Sequence, residues 1–163
     1  MSYNGTYVVR VQPGESVGDT YGFAGAKKGR YARASVFRAK GEDRYEKVRE
    51  FDLLNPVAPI DFVVSNAGEV VTLDNWHNMG MGKVLVIYAP DGSVRTSYAL
   101  SDIYSRTEVG RFEASVSSIW WRCNYPPFLG RGATKFEVMD KIGNTLEVSL
   151  GSGTIEKKPG ASC

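Results

Sequence analysis

The stretch Val84-Leu85-Val86-Ile87-Tyr88-Ala89-Pro90-Asp91-Gly92-Ser93-Val94-Arg95-Thr96-Ser97-Tyr98-Ala99-Leu100 changes its hydrophobic period once, and that change decides the fold. Its first part is continuously apolar from Val84 to Ala89 and is stopped by Pro90. A membrane span needs about 20 such residues, so this run is a strand covered on both faces. Asp91-Gly92 then supplies a turn, because both residues tolerate the positive φ a tight hairpin needs. Beyond it Val94, Thr96, Tyr98 and Leu100 alternate with Arg95, Ser97 and Ala99. Period two of this kind marks a strand with one buried face.

The same pattern recurs on both sides. Asn66-Ala67-Gly68 separates Phe62-Val63-Val64 from Val70-Val71-Thr72-Leu73, and Gly143-Asn144 separates Phe136–Met139 from Leu146–Leu150. Further strands are expected at Thr6–Val11, Tyr31–Ala39 and Arg44–Phe51, and near Val116–Arg122. Valine outnumbers leucine 18 to 8, which favours pleated, half-buried surfaces over helices. Helix is confined to one or two turns from Ser101 to Tyr104, with Ser101 as the N-cap. The fold class is therefore all-β: a single antiparallel sandwich or an open, propeller-like stack of hairpins. A propeller blade takes about 40–45 residues, so 163 residues make fewer than four and cannot close a ring.

That length suits one domain over residues 1–163, since domains usually run to about 100–150 residues. Residues 12–30 hold five glycines and little hydrophobic pattern, and read as a long loop. A short strand at Thr154-Ile155 is expected in the tail, with residues 156–163 frayed. Asn55-Pro56-Val57-Ala58-Pro59-Ile60 and Tyr125-Pro126-Pro127-Phe128 read as stiff structural connectors.

Twenty basic residues stand against 18 acidic ones, interleaved along the chain, for a net charge of +2. A nucleic-acid binder concentrates its basic residues, so no nucleic-acid partner is expected. No cofactor motif and no metal site are expected either: two cysteines and one histidine fall short of a structural zinc set. Cys123 and Cys163 either form one disulfide, pinning the last residue in an oxidising compartment, or remain free thiols. No signal peptide and no membrane span are read in the chain.

The candidate site is the segment Asp74-Asn75-Trp76-His77-Asn78-Met79-Gly80-Met81-Gly82, which joins two strands and holds the only histidine. Three readings compete. In the first it is architecture: Trp76 fills a gap between sheets, and Asp74, Asn75 and Asn78 bond the bent backbone. In the second it is a recognition loop for a protein or small ligand, with Trp76 and Met79 as apolar anchors and His77 as the polar contact. In the third, Asp74 and His77 are two parts of a hydrolase triad with Ser115, Ser117 or Ser118 as nucleophile. The third reading lacks a G-x-S-x-G elbow, and the segment lacks calcium-loop spacing. A second candidate contact is Trp120-Trp121-Arg122, where adjacent indoles in a strand point to opposite faces and Arg122 can stack on an exposed one.

These residues, in this order, carry a resemblance. Leu54-Asn55-Pro56-Val57-Ala58-Pro59, then Val71–His77 with Gly80 and Gly82, Val86-Ile87-Tyr88 with Gly92, Leu100-Ser101-Asp102, and Ser115-Val116-Ser117-Ser118 with Trp120-Trp121-Arg122 resemble an uncharacterised family of small bacterial domains. The resemblance implies a β-rich fold and an exported protein, periplasmic or secreted in preference to cytoplasmic, and no particular reaction. The expected function is accordingly a non-enzymatic binding domain using the Asp74–Gly82 loop. The alternatives are the hydrolase and a structural domain that completes its sheet as a homo-oligomer.

Overall fold

The computed structural model describes residues 1–15, 29–41, 43–125, 129, 134–161 and 163. Most of the expected 12–30 loop, and residues 126–128 of the second connector, lie outside the described residues.

The chain is mostly strand, all of it antiparallel. β1 (Tyr7–Gln12), β2 (Arg33–Ala39) and β3 (Tyr45–Asp52) form a sheet in that order. β4 (Asp61–Val64), β5 (Val70–Leu73), β6 (Leu85–Tyr88) and β7 (Val94–Tyr98) form the second sheet. Two one-turn helices follow, α1 (Leu100–Ile103) and α2 (Arg106–Val109), then the short pair β8 (Glu113–Ala114) and β9 (Ile119–Trp120). β10 (Lys135–Met139), β11 (Asn144–Ser149) and β12 (Ile155–Pro159) make the last sheet.

The second sheet is the middle layer. All four residues of β5 and all four of β6 are buried, as a strand covered on both faces requires. Their side chains divide by parity. Val70, Val86 and Tyr88 pack with Val64 against Val9, Ala34, Val36 and Leu53 of the first sheet and its exit. Val71, Leu73, Leu85 and Ile87 pack the other way, against Trp121, Phe136, Val138, Leu146, Val148 and Leu150. The result is an open stack of three sheets, with no closed barrel among the described residues. The three expected hairpins are β4–β5, β6–β7 and β10–β11.

Four local expectations change. Ala99, not Ser101, caps α1, because the Asp102 carboxylate accepts the Ala99 N–H at 2.7 Å and sets the helix start two residues earlier. Ser105 and Glu108 form a capping box that starts α2, a helix the hydrophobic pattern does not announce. The tail is not frayed after Ile155: β12 continues to Pro159 on β11, and Cys163 is disulfide-bonded to Cys123. β12 is an exposed edge strand, so it has no apolar alternation to read. It is held by backbone pairing and by charge: Lys157 bonds Glu108 at 2.5 Å and lies over the Tyr104 ring, and Lys158 reaches Glu147. In the expected Val116–Arg122 strand only Ile119–Trp120 is strand, and Val116 stands fully exposed at the tip of the β8–β9 turn.

Candidate functional site

The chain leaves β5 at Asp74 with a positive φ of 58°, and turns again at His77, Gly80 and Gly82. Aspartate tolerates this conformation because its short polar side chain bonds locally. Here it does so completely. The Asp74 carboxylate is fully buried, and Oδ1 accepts the Trp121 indole N–H at 2.8 Å and the Gly80 N–H at 3.0 Å. Oδ2 accepts the Arg122 Nε–H at 2.6 Å. Arg122 reaches on to Asp61 on β4 at 2.5 Å.

Two asparagines extend this hub. Asn55 is fully buried and its Nδ2 donates to the Asp74 carbonyl and to Asn75 Oδ1, both at 2.8 Å. Asn75 Nδ2 donates in turn to the Met81 carbonyl at 2.9 Å. Trp76 N–H donates to the Ala58 carbonyl, Ile119 N–H to the Met79 carbonyl, and Asn78 Nδ2 to the Ser117 carbonyl at 3.4 Å. The loop thus ties together the 53–60 connector, the β8–β9 pair and the middle sheet. Each buried polar contact replaces water that the loop backbone would otherwise need.

Of the predicted site residues, then, Asp74, Asn75, Asn78, Trp121 and Arg122 are buried structural groups. The expected stacking of Arg122 on an exposed indole is corrected: Arg122 is 2% exposed and its guanidinium is held between two carboxylates. Trp121 is fully buried with its indole N–H bound to Asp74, while Trp120 and Met79 are half-buried. The expectation that Trp76 plugs a gap between sheets is also corrected, since Trp76 is 53% exposed. His77 is exposed beside it, its ring edge-on to the indole at 5.7 Å.

The triad residues are not brought together by hydrogen bonds. Both Asp74 oxygens are occupied, and Ser115 Oγ accepts the N–H groups of Ser117 and Ser118. Among the described residues no hydrogen bond joins His77 to Asp74 or to Ser115, Ser117 or Ser118, and no three His, Cys, Asp or Glu side chains cluster as a metal site would require.

Two surface clefts flank the hub. The first is an apolar groove of about 500 Å³, within the usual range of binding clefts. Its walls are Val11 near the end of β1, Pro13 just beyond it, the connector Val57–Ile60, Phe62 on β4, and Trp76. Phe62 is 38% exposed, and β1 and β4 are both edge strands. The second cleft, about 280 Å³, lies where Leu54, Pro56, Lys83 and Ala99 meet. Beneath it the Leu54 N–H donates to the Tyr88 hydroxyl at 2.7 Å, and burial pushes that phenol up to about 12.

Sequence reasoning missed the groove because it is made by residues read as a connector. Val57-Ala58-Pro59-Ile60 does stiffen the chain, but it also presents an apolar wall to Trp76. It missed Asp61 and Asn55 because nothing local marks either as a partner of Asp74 and Arg122. Comparison of the chain with protein-family models, with curated proteins and with solved structures finds no match.

Proposed function

We propose that the protein is a non-enzymatic binding module that docks an apolar segment of a partner protein in the groove between β1, β4 and Trp76. One observation carries this reading: a large indole is half exposed although its own backbone is clamped to Ala58. A rigid aromatic anchor beside an apolar groove loses little freedom on binding and is what interface hot spots are made of. β1 and β4 each have one side without a strand partner among the described residues, so an extended segment can extend a sheet while its side chains enter the groove. His77 would supply a polar contact at the rim.

The fold supports an exported location, periplasmic or secreted, through the Cys123–Cys163 bridge, since such bridges persist in oxidising compartments. No helix among the described residues is long and apolar enough to cross a membrane. Kinship with uncharacterised exported bacterial domains is part of the same proposal. Of its motif residues, Asn55, Asp74, Asn75, Gly80, Trp121 and Arg122 belong to the buried hub, while Trp76 and His77 stand exposed beside the groove.

The test is selection of displayed random peptides on the parent, with counter-selection on a Trp76→Ala, Phe62→Ser variant. Enriched peptides with apolar residues at alternate positions that lose at least about tenfold affinity on Trp76→Ala alone support the reading. Peptides that bind parent and variant equally, or no enrichment over the variant, reject it.

A further inference from the structure

The second cleft differs in chemistry from the groove. Leu54, Pro56, Ala99 and the half-buried Tyr31 give it mainly apolar walls. Asn75 also lines it, but the Asn75 amide is spent inside the hub, on the Met81 carbonyl and the Asn55 side chain. That leaves Lys83 as the one charged group among the described lining residues. Its ammonium is poorly matched. Its ion-pair partner among the described residues, Asp102, stands 3.8 Å away and already accepts the Ala99 N–H. A lysine in the wall of a mainly apolar cleft, paired at 3.8 Å with a carboxylate that also serves a helix cap, favours a ligand that brings both an apolar body and one negative charge.

We propose that this cleft is a binding site for a small amphiphilic carboxylate, its chain or ring against Leu54, Pro56 and Tyr31 and its carboxylate on Lys83. At about 280 Å³ the cleft sits just under the usual range for ligand sites, roughly 300–1,000 Å³, so the ligand is small. Pro56 and Asn75 face this cleft while their chain neighbours Val57 and Trp76 face the groove, so the Asn55–Asp74–Asn75 hub is the wall between the two sites. The inference stands apart from the groove reading and does not need it.

Octanoate is the probe, followed by amide chemical shifts in the parent, in Lys83→Gln and in Trp76→Ala, with octylammonium as the control of equal body and opposite charge. The expected result is saturable millimolar binding of octanoate with shifts centred on Leu54, Lys83 and Ala99. Lys83→Gln should weaken it by about fivefold, the size of one partly exposed charge contact. Trp76→Ala should leave it unchanged, and octylammonium should not compete. Any of four results overturns the proposal: no saturable binding at millimolar octanoate, equal binding of octylammonium, an unchanged affinity in Lys83→Gln, or shifts centred on Trp76. The Lys83 side chain is 43% exposed and the residue lies outside every strand, so its replacement by Gln leaves the fold intact and each result is readable.

Discussion

Asp74 and Arg122 are 48 residues apart in the chain and 2.6 Å apart in space, with both side chains almost fully buried. A buried ion pair is not automatically stabilising, but removing one partner leaves the other charge unpaired, at about 3–5 kcal/mol. Arg122 keeps a second carboxylate in Asp61, which is 31% exposed and offsets part of that loss. Asp74 also takes the Trp121 and Gly80 N–H groups, so Asp74→Ala strands three donors. Urea unfolding should show a loss of at least about 3 kcal/mol for Asp74→Ala. A loss below about 1 kcal/mol would mean the hub does not hold the fold.

Gly80 is the hub's steric counterpart. Its φ is +75°, and a Cβ there would sit 2.4 Å from the Ile119 carbonyl oxygen and 2.7 Å from its Cβ. Both the conformation and the space exclude a side chain. Gly80→Ala should destabilise by about 2 kcal/mol or more and push the β8–β9 pair off the loop. Hydrogen exchange of the Ile119 amide, which donates to the Met79 carbonyl, is the local readout. Unchanged protection there would contradict the packing.

The layers were legible because each rests on a local period. Val84–Tyr88 has no polar face, so something must cover it twice, and two sheets do. Tyr88 and Ile87 go to opposite cores as adjacent strand residues must. The site was legible only in part. The loop stood out by its composition, yet composition does not tell which side chains point inward. Asp74, Trp121 and Arg122 find one another through pairings that span 47 and 48 residues, and no local pattern reports such a contact. β12 was legible only at its start, Thr154-Ile155, for the opposite reason: the charged edge strand beyond it has backbone partners but no apolar period.

The disulfide joins Cys123 to Cys163 across 40 residues and encloses the third sheet. In the chain-entropy view a loop of that size contributes about 4 kcal/mol at most, by restricting the unfolded chain. A Cys123→Ser, Cys163→Ser double variant should lose about 2–4 kcal/mol in chemical denaturation, with β10–β12 opening first. Equal stability of parent and variant would show that β12 docks without the bridge.

Glu108 links the helix cap to the tail. Lys157 and the Ser105 backbone and hydroxyl bond its carboxylate and hold it down to about 2, against an ordinary 4.5. Because the folded value is depressed, the contribution is complete above pH 4.5 and fades as pH falls towards 2. Glu108→Gln should therefore be less stable than the parent at neutral pH, and the two stability curves should converge between those limits. Convergence at a higher pH, or none, would remove Glu108 as the acid-sensitive contact of the tail.

His77 holds a positive φ of 72° with its side chain in solvent. If it were part of the hub, truncation would leave buried groups unpaired. As placed, His77→Ala removes an exposed ring that lies edge-on to the Trp76 indole, and should change stability by no more than about 0.5 kcal/mol. His77→Gly should be neutral or stabilising by up to about 1 kcal/mol, because glycine occupies this region without strain. The pair separates conformation from contact. A large loss in both variants would return His77 to the scaffold. A stable His77→Ala that binds selected peptides more weakly would place the histidine at the rim of the Trp76 groove.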